Sequence, residues 1–142
     1  MKIESVIAAK GPAVFTVGPA ELVRNAVEIL AKNNIGAVIV VDNKRMPVGI
    51  LSERDIVREL PRRAGLLDLP VSELMTTGML TATLDDDVAA VLNTMTARHF
   101  RHLPVVEDGQ LLGMVTLADL VRAQLDHLEG AVETLTIQLM DK

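Results

Sequence analysis

The chain has 142 residues, 49% of them hydrophobic, and a net charge of −5, with a mean hydropathy of +0.33; this suits one compact soluble domain or two small lobes sharing a core. It has no cysteine, which excludes disulfides, thiolate metal sites and cysteine nucleophiles and fits a reducing, cytoplasmic setting. The acidic balance and only two aromatics, Phe15 and Phe100, argue against a nucleic-acid surface; no apolar run approaches the roughly 18 to 20 residues of a membrane span, and Glu4 interrupts what would be a signal peptide's apolar stretch.

In chain order, Ile3, Val6 and Ile7 predict an N-terminal helix that Gly11-Pro12 is expected to end. Thr16-Val17 lies near a first strand. Val23, Ala26, Val27 and Leu30 have the spacing of a helix with one buried face. A β-like run follows, "AVIVV" at 37–41, then the turn "DNKRMP", a strand "VGILS" and a second helix. The proline-bounded "PRRAGLLDLP" at 61–70 is expected to be a connector. The pattern then begins again. Thr81-Ala82 stands where the opening strand would be, and Val88, Val91, Leu92 and Met95 repeat the helical spacing 65 residues on. "HLPVV" at 102–106, the hairpin signal Asp108-Gly109 and "LGMVT" complete the copy. The most legible repeat is "GILSERDIV" at 49–57, which returns as "GMVTLADLV" at 113–121.

An internal duplication of this kind predicts a mixed α/β fold of two strand–helix–strand–strand–helix (βαββα) units. The units are expected over 1–60, with the N-terminal helix, and 71–122, joined by 61–70. They would pack with pseudo-twofold symmetry and leave two equivalent clefts between them. Residues 123–142 form an extension the repeat does not require. Val121, Leu125, Leu128, Val132, Leu135 and Leu139 are spaced 4, 3, 4, 3, 4 along it, the stripe of a long helix seeking an apolar partner. A second subunit is the favoured partner and the chain's own domain the alternative; Gly130 interrupts the stripe at a cost of roughly 1 kcal/mol relative to Ala.

These segments, with "AAKGPAVFTVGP", "NNIGAVIVVD", "GILSERDIVREL", "MTTGMLTATLDDDV" and "FRHLPVVEDGQLLGMVTLADL", carry a resemblance to a tandem pair of CBS domains, the family named for cystathionine β-synthase. It spans nearly all of residues 8–122. The resemblance implies a regulatory, non-catalytic protein that binds an adenine-containing ligand between its repeats and works as a homodimer, signalling through dimer geometry or an effector protein. AMP leads the implied ligands, followed by NAD(H), with ADP and ATP also in the set and S-adenosylmethionine less favoured.

The repeated motif has a chemistry of its own. Ser52 and Thr116 each stand where a strand gives way to a helix, beside outward-pointing backbone N–H groups that favour a phosphate. Asp55 and Asp119, three residues on, each offer two acceptor oxygens for a ribose diol. Backbone around Ile35, Gly36 and Ala37, and around Arg101, His102, Leu103 and Pro104, is a candidate adenine slot; Thr16, Thr81 and Met114 complete the candidate set. Lys10, Arg54, Arg58, Arg101, His102 and Arg122 are candidate phosphate partners, arginine for its two-pronged hydrogen bonding. A second reading stands beside this one. Ser-x-x-Asp and Thr-x-x-Asp are also capping boxes, with Asp in place of Glu or Gln, and a solvated surface accounts for single basic residues. The two roles can coexist.

The copies also differ, "SERD" against "TLAD", so their ligands need not be the same. His99 and His102 lack an obvious third ligand for a metal site. Asp85, Asp86 and Asp87 suit the start of the following helix better than calcium or acid catalysis. No Walker loop, nucleophile elbow or pair of catalytic carboxylates is present, so neither catalytic residues nor a catalytic cofactor are expected.

Overall fold

The computed structural model describes residues 1–11 and 13–140. The two periodic segments form helices of equal length, which we number in chain order with the elements around them. Helix α1 is Ile3–Lys10, strand β1 is Thr16–Val17 and helix α2 is Val23–Asn33. Strands β2 (Ala37–Val41) and β3 (Pro47–Ser52) lead into helix α3, Glu53–Glu59. The second copy runs through α4 (Val88–Arg98), β4 (His102–Glu107), β5 (Gln110–Thr116) and α5 (Leu117–Met140). Helices α2 and α4 both end on a residue in the left-handed region, Asn34 and His99, which turns the chain sharply into its strand. Gly11 follows α1 with φ +92°; Pro12, the other half of the expected stop, lies outside the described residues.

The β2–β3 hairpin pairs Ala37 with Ser52, and β4–β5 pairs His102 with Thr116. Both ladders shift register at the same place, between Val40 and Val41 and between Val105 and Val106. β1 pairs parallel with β2. Its counterpart at Thr81-Ala82 is reduced to a single parallel bridge from Ala82 to Val105. The first sheet therefore has three strands and the second two.

Each lobe is closed by chain that precedes the other repeat. The first core joins Val17, Val23, Leu30, Val38, Val40 and Leu51 to Leu66, Val71 and Leu74 from ahead of the second repeat. The second core joins Val88, Met95, Leu103, Val105, Val115 and Leu120 to Ile3 and Val6 of α1. The crossing is held by backbone bonds of matching kind: Val23 N–H to the Leu69 carbonyl and Val71 N–H to that of Glu21 on one side, Val88 N–H to the Met1 carbonyl and Ile3 N–H to that of Asp86 on the other.

This exchange explains the repeated glycines. A Cβ on Gly49 would lie 2.6 Å from Met75 Sδ, and one on Gly113 would lie 3.2 Å from Ile7 Cδ1. Each glycine lies under a side chain of the donated segment. Between the lobes, Ile39 and Ile50 of the first sheet meet Leu111 of the second.

Two further expectations take a concrete form. The connector at 61–70 also contributes to a core, because Leu66 is buried in the first lobe at a short 3-10 turn, Leu66–Asp68. The acidic run serves as turn and cap: Asp86 accepts from Thr83 N–H and Asp87 caps α4 by accepting from Ala90 N–H. Among the described residues, no helix is long and apolar enough to cross a membrane.

The exchange has a direct test. Ile3 is fully buried in the second lobe, so Ile3→Ala should cost about 2–5 kcal/mol in urea unfolding and should lower amide-exchange protection in β4 and β5 before β2 and β3. Equal loss in both hairpins would count against the assignment of α1 to the second core.

Candidate functional site

The ends of β3 and β5, at Ser52 and Thr116, line a common space. An open cleft of about 1050 Å³ lies there. From the first lobe it is lined by Gly36, Ser52, Arg54, Asp55 and Arg58, and from the second by Arg101, His102 and Thr116. Gly36 keeps this wall thin, since a Cβ on it would stand 3.3 Å from His102 Nε2.

Both capping boxes are formed. Ser52 Oγ accepts from Asp55 N–H at 3.2 Å, while Asp55 Oδ2 accepts from Ser52 N–H at 3.0 Å and from Ser52 Oγ–H at 2.9 Å. Thr116 Oγ1 accepts from Asp119 N–H at 3.0 Å, and Asp119 Oδ2 accepts from Thr116 N–H at 2.9 Å. In each copy the cap occupies Oδ2 of the carboxylate and leaves Oδ1 without a hydrogen bond from the described residues. Capping and ligand binding are therefore compatible at the same side chain.

The copies part company over charge. Lys10, at the end of α1, donates to Asp119 Oδ2 at 2.6 Å and to the Met114 carbonyl at 2.8 Å. No ion pair reaches Asp55 among the described residues, and none engages Arg54, Arg58 or Arg101. Burial would raise the Asp119 carboxyl, but hydrogen bonds from Lys10 and Thr116 outweigh it and hold the group below the usual carboxylate range. His102 is pushed below the ordinary imidazole value, chiefly by burial, with Lys10 and Arg101 adding to the effect and Glu53 opposing it. The imidazole is accordingly neutral at pH 7, with one nitrogen free to accept.

The expected site residues divide into three groups. Gly36, Ser52, Arg54, Asp55, Arg101, His102 and Thr116 line the cleft. Lys10, Met114 and Asp119 form the second cluster. Ala37, Leu103 and Pro104 are buried in their strands, Ile35 packs against the first core, Thr16 is half-buried in β1 and Thr81 is exposed. Much of the backbone considered for an adenine slot is already bonded: the Gly36 carbonyl accepts Glu53 N–H, that of Arg101 accepts Leu117 N–H, and that of Pro104 accepts Ala82 N–H. Arg122 is not among the lining residues. Sequence reasoning missed Glu53, Thr76, Met79 and Phe100, which also line the cleft. Thr76 arrives by an isolated bridge to Ile50, a long-range pairing with no local signal.

The CBS domain family model matches residues 9–62 and 71–126. The chain is 30% identical over 123 residues to the CBS domain-containing protein YhcV of Bacillus subtilis, covering 87% of this chain and 86% of that one. Among solved structures it is similar to the CBS-domain containing protein ATU1752 of Agrobacterium tumefaciens, with a TM-score of 0.82 and 33% identity over 87% of this chain and 99% of that one. It is also similar to the CBS domain pair of protein MJ0100 in complex with 5′-methylthioadenosine and S-adenosyl-L-methionine, with a TM-score of 0.78 and 26% identity over 89% and 98% of the two chains.

The lowered groups set an acid dependence. A depressed folded-state value means the unfolded chain binds more protons, so stability falls as pH falls. For His102 the loss begins as pH drops through about 6.5, and for Asp119 as it drops through about 3.9. Urea unfolding at stepped pH should show both stages, and His102→Asn should remove the upper one; an upper stage unchanged in that variant would assign it to another group.

Proposed function

The chain belongs to the CBS domain family as a tandem pair, and from that premise we propose that it is a regulatory sensor of adenine nucleotides, AMP foremost and NAD(H) next, with ADP and ATP also accommodated and S-adenosylmethionine less favoured. One observation carries the reading. In a chain of net charge −5, three arginines free of ion pairs among the described residues, Arg54, Arg58 and Arg101, line one cleft beside a carboxylate with an uncommitted oxygen. Unpaired arginines around a cleft suit a phosphate, which they hold through two-pronged, charge-assisted hydrogen bonds. In this reading Asp55 Oδ1 accepts a ribose hydroxyl while Oδ2 keeps its cap. Ile50, Met79 and Phe100 supply apolar wall for a purine. The adenosine ligands of the MJ0100 pair support the ligand class.

The sensor works by population shift: the nucleotide favours whichever arrangement of the pair it binds more tightly. The output runs through dimer geometry or an effector protein in the cytoplasm. We place the dimer contact on α5. Leu125, Leu128, Val132, Leu135 and Leu139 are 50% to 71% exposed, so the stripe is not spent on the chain's own lobes. In proteins most of a helix's stability comes from packing its apolar face rather than from propensity. A second reading, a ligand-independent interaction module, is favoured by the completed capping boxes, which give Asp55 and Asp119 a structural role without any ligand.

Thermal unfolding separates the two. AMP at a hundred times its dissociation constant should stabilise the fold by about 2.7 kcal/mol, a rise in Tm of roughly 5–10 °C. Asp55→Asn keeps an acceptor for the cap and should abolish the shift; no shift with any adenine nucleotide would favour the interaction module. Leu128→Glu should turn a dimer into a monomer in sedimentation velocity while leaving the AMP shift in place.

A further inference from the structure

Two polar side chains converge in the cleft from opposite lobes. His102 opens β4 of the second lobe, and Glu53 begins α3 of the first. Both reach Gly36: from the place where a Cβ on it would stand, His102 Nε2 is 3.3 Å away and Glu53 Oε1 3.5 Å. None of the ion pairs among the described residues includes either side chain. Of the chain's three histidines, His102 is half-buried, whereas His99 and His127 are exposed. The charged and titratable groups facing His102 come from every neighbouring element. In the cleft, α3 contributes Glu53, Arg54, Asp55 and Arg58, and Arg101 and His99 lie just ahead of β4. From behind, α1 brings Lys10 and α5 brings Asp119. Burial first, then Lys10 and Arg101, keep a proton off the imidazole at pH 7 against the pull of Glu53 and Asp119.

We propose that binding of a nucleotide in this cleft is linked to uptake of a proton on His102, so that the sensor responds to acidity and nucleotide together. The inference rests on the nucleotide reading given above. A phosphate held by Arg54, Arg58 or Arg101 places a new anion in the space that the imidazole lines. The arginines carry their charge with or without ligand, so the charge that changes on binding is the anion's, and an anion favours the protonated ring. Loss of water from the ring works the other way. The phosphate of AMP carries about −1.5 to −2 near pH 7, while the half-buried ring has already lost part of its water, so the anion decides the direction. Once charged, His102 faces the Glu53 carboxylate across the boundary between the lobes, and the proton adds an attraction between them at Gly36. Proton and nucleotide then favour each other reciprocally. Affinity rises as pH falls through the raised midpoint of His102 and levels off below the free one. A midpoint raised by about one pH unit corresponds to binding up to about tenfold tighter on the acid side from this one group.

NMR titration of the histidine ring signals reads this proton directly in the full chain, free and saturated with AMP; NAD⁺ takes the place of AMP if AMP gives no thermal shift. His99→Asn and His127→Asn assign the other two rings, so His102 is identified without being altered. Its titration midpoint should rise by about half a pH unit or more in the AMP complex. Adenosine, which brings no phosphate, should leave the midpoint where it is or lower it. An unchanged or lowered midpoint in the AMP complex, or an equal rise with adenosine, would overturn the inference and leave the nucleotide reading standing. Failure of AMP, NAD⁺, ADP and ATP all to bind would overturn the nucleotide reading and the inference with it.

Discussion

Each βαββ unit has a face that its own residues do not cover, and the chain solves this by exchange. Ile3 and Val6 close the second lobe, and Val71 and Leu74 close the first. Much else about the molecule depends on that crossing. It leaves no room for a Cβ on Gly49 unless Met75 shifts, and would set one on Gly113 tightly against Ile7. It also ties the two lobes together through segments buried in the opposite core. The direct contact between the sheets, Ile39 and Ile50 against Leu111, is small by comparison.

The same crossing shapes the surroundings of both motif copies. The segment ahead of the second repeat carries Thr76 and Met79 into the cleft, and the segment ahead of the first carries Lys10 to Asp119. A duplicated fold would surround its two capping boxes alike if the donated segments were equal. They are not: one ends in a lysine and the other passes through Gly78, so symmetry of backbone coexists with asymmetry of charge. The arginines deepen the difference, since "SERD" sets Arg54 in the shared space where "TLAD" offers Ala118.

The capping boxes show what the repeated motif does for the fold. A helix beginning at a strand end has N–H groups that need acceptors, and Ser52 with Asp55 or Thr116 with Asp119 supplies them. One carboxylate oxygen satisfies the cap, and the other faces no described donor. The fold thus holds in place, for reasons of its own stability, an acceptor of the kind a sugar hydroxyl needs. In the proposed function, cap and sugar contact divide between the two oxygens of one side chain.

Periodicity and repetition are local properties, and they were legible from the residues alone. The buried faces of α2 and α4, the hairpins at "AVIVV" and "HLPVV", the duplication and the long last helix all follow from spacing, because a helix or strand shows its period within its own residues. Ser52, Asp55, Thr116 and Asp119 were legible for the same reason, as a motif repeated in matching contexts. Which segment closes which lobe was decided by tertiary structure, since nothing near Ile3 says that its partner is Met95. So were the places of Thr76, Met79 and Phe100 in the cleft, the commitment of Lys10 to Asp119, and the exposure of the α5 stripe. These are contacts between residues far apart in the chain, and the free energy that selects them comes from burial and charge pairing that exist only once the two lobes have exchanged their segments.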